Sequence, residues 1–106
     1  MSISWIYLIA AIIFEVSGTT CMKLSQGFNK IVPSVLIFVF YGLCFTFLTL
    51  ALKRLELSVA YSVWAGLGTI LIAIIGIIWF RESATFIKLI SIALIIIGVI
   101  GINASQ

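Results

Sequence analysis

The chain reads as long apolar stretches broken by brief polar interruptions. Four stretches run from about residue 3 to 22, 33 to 52, 57 to 80 and 84 to 104, separated by "KLSQGFNKIV", "KRLE" and "RES". A hydrocarbon core about 30 Å thick takes roughly 20 helical residues to cross, so each stretch is long enough. The apolar residues are continuous rather than alternating, which argues against the two-residue period of a membrane β-barrel. Helices also satisfy their backbone groups internally, as hydrocarbon demands. The pattern predicts an all-α membrane protein, with residues 1–106 forming a single domain of four transmembrane helices. The first stretch has no basic segment before it and is about as long as the others, so it reads as a retained span rather than a cleaved leader.

Composition agrees. Of 106 residues, 64% are hydrophobic and 8% charged, too few polar groups to clothe a water-soluble domain. Six Lys/Arg against three Asp/Glu give a net charge of +3, but the basic residues are scattered, so no nucleic-acid footprint is expected. His is absent, and Cys21 and Cys44 stand alone in apolar runs. No metal site, cofactor or catalytic residue is expected from them; a small apolar packing role is.

The span ends carry suitable residues. Pro33 falls at the start of span two, where its missing N–H costs nothing. Trp5, Tyr7 and Trp79 suit the interface, and Lys88 can snorkel outward. Lys23, Lys30, Arg81 and Lys88 share one side of the membrane, and Lys53 and Arg54 the other. That imbalance specifies orientation only weakly.

One residue breaks the pattern. Glu15 lies twelve residues after Ile3, which at 1.5 Å per residue is about 18 Å into the span, near the midplane. A charge at that depth costs at least ~3 kcal/mol, and a short Glu cannot snorkel out. Every Lys and Arg is at or near a span end, so no fixed cation is available to it. Glu15 must then be protonated and neutral, or ionised beside a cation that comes and goes. Leu8, Ala11, Glu15, Gly18, Thr19 and Met22 share a helical face, where small residues allow close approach.

Aromatic and small residues recur on other faces. Tyr61, Trp64, Ala65 and Gly68 share one face of span three, and aromatic rings attract cations. Tyr41, Cys44, Phe45 and Leu48 share one face of span two. Gly66 and Gly68 either bend span three or let a neighbour approach closely. Span four carries no acid and no aromatic after Phe86, but Ser91, Gly98 and Gly101 suit a helix–helix seam. Four helices do not easily enclose a pathway and also pack together, so an oligomer is expected.

The run E-x-x-G-T-T-x-x-K-x-S-x-G-F from Glu15 to Phe28, and A-Y-x-x-W-x-G-x-G from Ala60 to Gly68, resemble the small multidrug resistance family. The resemblance covers essentially the whole chain. It implies a multi-pass protein of the bacterial plasma membrane, paired as a dimer, commonly antiparallel. It implies a proton-coupled antiporter, not an enzyme, that exports lipophilic cations by alternating access. Its partners would be hydrophobic organic cations, protons, the lipid bilayer and a second subunit, most simply another copy of this chain.

On that resemblance Glu15 is the shared proton and substrate site, with Tyr41, Tyr61 and Trp64 as aromatic substrate-site positions. Leu8, Ala11, Gly18, Thr19, Phe45 and Leu48 match chamber-lining positions. Gly66 and Gly68 match a kink, and span four, with Ser91, Gly98 and Gly101, matches the dimerising helix. Cys44 and Ala65, which also belong to the expected chamber, stand where multidrug members often have Ser. Guanidinium exporters of the family tend to carry Trp at the position of Gly18. The small residue therefore resembles the quaternary-ammonium subtype and is expected to leave room for bulky aromatic cations. The alternatives are a guanidinium-type exporter, an obligate heterodimer subunit and a non-transporting membrane partner.

Overall fold

The structure is a computed structural model that describes residues 2–105. Its helices are α1 (Ile3–Leu24), α2 (Ile31–Ala51), α3 (Leu57–Ile78) and α4 (Phe86–Ala104). All four are long and apolar enough to cross a membrane, and there is no strand among the described residues. The chain is thus a multi-pass membrane protein.

Each helix ends for a local reason. After α1, Ser25 folds the chain back. Its hydroxyl donates to the Met22 carbonyl (2.8 Å) and accepts from the Phe28 N–H (3.2 Å). Its carbonyl accepts from the N–H groups of Asn29 (2.9 Å) and Lys30 (3.1 Å). Gln26, Gly27 and Phe28 all take left-handed backbone, at φ 50°, 71° and 69°. A glycine is suited to the middle of such a run because it has no Cβ to clash. The S-x-G-F portion of the sequence motif therefore builds this turn.

Helix α2 begins at Ile31, two residues earlier than expected, so Pro33 lies in its first turn, where no intrahelical partner for its N–H is needed. Helix α3 stops at Ile78, two residues short. Arg81 takes left-handed backbone (φ 57°), and the Glu82 N–H returns to the Gly76 carbonyl at 3.0 Å. Helix α4 starts at Phe86, and Thr85 caps it by accepting the Lys88 N–H at 3.1 Å.

The packing is uneven. Helix α1 packs on α2 and α3, and α4 packs mainly on α3. The core is Leu8, Ile12 and Val16 of α1 with Ala51, Ala60 and Val63. Aromatic stacking joins α1 to α2, with Phe14 at 5.6 Å from Phe47 and 6.2 Å from Phe40. Helix α4 buries no residue fully. It meets α3 at Gly66, where a Cβ would stand 2.7 Å from Val99 Cγ2 and 3.3 Å from Ile95 Cγ2.

Candidate functional site

The site is built from the inside of α1 outward. Glu15 and Thr19 are one turn apart on α1, and the Thr19 hydroxyl donates to Glu15 Oε1 at 2.9 Å. The same hydroxyl oxygen is hydrogen-bonded to the phenol of Tyr41 on α2. Glu15 Oε2 is buried and has no hydrogen-bond partner. It faces the backbone of Gly68 on α3, where a Cβ would stand 3.0 Å away.

Beside this carboxylate is a cleft of about 290 Å³ lined by Glu15, Thr19, Trp64, Ala65, Gly68, Thr69 and Ile72. Trp64 Nε1 is also buried, with no partner better than the weakly accepting Cys44 sulfur. An unpaired acceptor and a weakly satisfied donor therefore belong to one cleft. Buried polar groups are ordinarily paired, and exceptions concentrate at functional sites. Ligand pockets run from roughly 300 Å³ upward, so one chain supplies about the least volume a small organic molecule needs.

Aromatic rings continue from this point along α2 and α3. Tyr41 lies 5.9 Å from Phe45, Phe45 lies 6.5 Å from Trp64, and Tyr61 meets Trp64 edge-on at 5.3 Å. Phe45 and Tyr61 are 52% and 57% exposed. They flank the cleft instead of lining it. Cys44 is buried next to this chain of rings on α2.

Other expected chamber residues take different positions. Leu8 and Ala11 are fully buried and do not line the cleft, and Leu48 packs against the core. Gly18 does not open space for a ligand. A Cβ there would stand 2.8 Å from both Cδ2 and Cε2 of Tyr41, so the ring already occupies that volume. Gly66 and Gly68 lie within uninterrupted helix, and each is closely approached, by α4 and by Glu15 respectively. Thr69 and Ile72 were not singled out from sequence. They continue the face of Ala65 and Gly68 at four-residue steps, which is the signal that marks them.

Ser91 of α4 is exposed, and Cβ atoms at Gly98 and Gly101 would meet nothing within 4 Å. The small-residue seam faces away from the rest of the chain. The described residues hold no cluster of His, Cys, Asp and Glu fit for a metal ion.

A family model described as Small Multidrug Resistance protein matches residues 3–95. The chain belongs to the small multidrug resistance family. Relatives align along nearly its full length. The Bacillus subtilis (strain 168) "Uncharacterized membrane protein YvaE" is 51% identical over 94% of this chain and 84% of its own length. Staphylococcus aureus "Quaternary ammonium compound-resistance protein QacC" is 43% identical over 93% of this chain and 92% of its own. Bacillus atrophaeus "Multidrug resistance protein EbrA" is 42% identical over 97% and 98%.

Proposed function

We propose that this protein exports lipophilic and quaternary ammonium cations across the bacterial plasma membrane in exchange for protons. The observation that carries the reading is Glu15: a midspan carboxylate with one oxygen held by Thr19 and the other buried, unpaired and beside a cleft. Left ionised and alone in hydrocarbon, that oxygen is costly. A proton or a bound cation relieves the cost, and the two cannot occupy it together. That exclusion couples the two fluxes. Relatives named for quaternary ammonium and multidrug resistance support the substrate class.

The rings of Tyr41, Phe45, Tyr61 and Trp64 give an aromatic cation flat, polarisable surfaces next to the acid. The working unit is a dimer, most simply an antiparallel pair of identical four-helix domains. The cleft of one chain is small and open, and α4 leaves Ser91, Gly98 and Gly101 free for a partner helix. Two Glu15 residues then share a chamber. The proton-loaded and cation-loaded pairs each convert between inward-open and outward-open forms, which completes transport.

The test is binding of tetraphenylphosphonium across a range of pH to wild type and Glu15→Gln. Wild-type affinity rises with pH as protons stop competing, and Glu15→Gln binds poorly at every pH. Wild-type-like binding by Glu15→Gln would sink the carboxylate mechanism. In liposomes, proton flux driven by guanidinium but not by tetraphenylphosphonium would sink the substrate class.

A further inference from the structure

Gly18 and Tyr41 are on different helices and neither lines the cleft, yet both bear on Glu15. A Thr hydroxyl has one proton to give. Thr19 gives its proton to Glu15 Oε1. Its contact with Tyr41 must then be made by the phenol proton of Tyr41, pointing at Thr19 Oγ1. Both hydrogens are thus aimed along one line toward the carboxylate.

That line depends on where the Tyr41 ring sits. Its Cδ2 and Cε2 atoms fill the place where any side chain of residue 18 would begin, and the Cβ of Phe40 closes the remaining side at 3.3 Å. A separation of 2.8 Å to two ring atoms is shorter than carbon–carbon contact at about 3.5–4.0 Å allows. A methyl at residue 18 therefore lifts the ring and carries the phenol away from Thr19.

We infer that Gly18 is a positioning residue: its bare backbone seats the Tyr41 ring, which places the Tyr41 phenol on Thr19 and, through Thr19, fixes Glu15 Oε1. Oε2 is left as the oxygen that meets the proton or the cation. The inference rests on Glu15 being the exchange site, and it changes what Gly18 selects for. Its small size orders the acid through Tyr41 instead of directly widening the chamber. A large residue at position 18 and a tyrosine at position 41 are then incompatible in this arrangement.

The experiment measures tetraphenylphosphonium binding by the full chain in lipid nanodiscs across a range of pH. The titratable groups near Glu15 on the packed helices are few. Tyr41 of α2 is joined to it through Thr19 and Cys44 is buried on the same helix, Lys23 of α1 and Glu82 after α3 line a neighbouring cleft that shares Thr19, α3 has Tyr61 beside Trp64, and the only titratable residue of α4 is Lys88. Thr19→Val removes a donor that favours the ionised acid, so the midpoint of binding moves to higher pH by about one pH unit. Thr19→Ser restores the donor and keeps the wild-type profile. Gly18→Ala reproduces the Thr19→Val profile, but added to Tyr41→Ala it causes no further change, because the ring it displaced is gone.

A wild-type profile for Thr19→Val overturns the inference. So does a Gly18→Ala defect that persists in full beside Tyr41→Ala. If Gly18→Ala alone does not fold, recovery of folded protein by adding Tyr41→Ala supports the seat, and no recovery overturns it. Glu15→Gln keeps the two readings apart. If it abolishes binding while the Thr19 and Gly18 variants behave as wild type, the exchange site stands and only the positioning role falls.

Discussion

Glu15 of α1 and Gly68 of α3 meet so closely that an added side chain would displace the acid: a Cβ on Gly68 would stand 3.0 Å from Oε2. The unpaired oxygen therefore lies against the α3 backbone at the edge of the cleft, next to Trp64 and Thr69.

Gly68→Ala tests that approach. The methyl pushes on the carboxylate without touching Thr19, so Oε2 leaves its place by a few tenths of an ångström. Overpacking of this kind costs about 1–3 kcal/mol. Aromatic-cation affinity is expected to fall about tenfold, the equivalent of ~1.4 kcal/mol, with the helical circular dichroism unchanged. Undiminished affinity in equilibrium binding would show that the carboxylate is free to move aside.

Gly66→Ala is expected to act differently, although it is only two residues away. Its Cβ would collide with Val99 Cγ2 at 2.7 Å, which loosens α4 from α3. The thermal unfolding midpoint should drop, and Val99→Ala should restore much of the loss by removing the opposing methyl groups. Equal losses from the single and double variants would rule out this contact as the cause.

Ser25 gives a prediction about the turn. Ser25→Ala removes the acceptor for the Phe28 N–H and the bond to the Met22 carbonyl. Each such bond is worth about 1 kcal/mol net. Lower thermal stability and faster amide exchange at Phe28 are expected, with the pH profile of cation binding preserved. A changed pH profile with unchanged exchange would assign Ser25 to transport instead of folding.

The α4 seam is tested by bulk. Gly98→Leu and Gly101→Leu add side chains into open space in the single chain, so the fold of each subunit should persist. Close helix approach in membranes depends on small residues. On the proposed pairing, cross-linking in nanodiscs should therefore report dimers for wild type and monomers for both variants. Intact dimers in both variants would move the interface off this seam.

Sequence showed the four helices clearly because a span needs only length and apolar composition. The acid was legible for the same reason, since Glu15 is out of place at its depth. Sequence did not show how neighbouring helices rotate against each other. A helical face places Leu8 and Ala11 in line with Glu15, yet both are buried in packing while Thr19 reaches the acid. Gly66 and Gly68 were legible only as a bend or a close approach, and residues two apart point to nearly opposite sides of a helix. One meets α4 and the other meets Glu15. Gly18 looked like room for a ligand because sequence records small size and not what fills the space.

Helix α3 has two working sides, and that arrangement bears on how the protein can diverge. Its Gly68 side is tied to the acid and its Gly66 side to α4, while the free edge of α4 has no part in the cleft. On the proposed pairing and exchange site, drift on that free edge would alter which chains recognise one another, and drift around Glu15 would alter which cargo is accepted. A duplicated copy would then be free to change partners without first surrendering its chemistry.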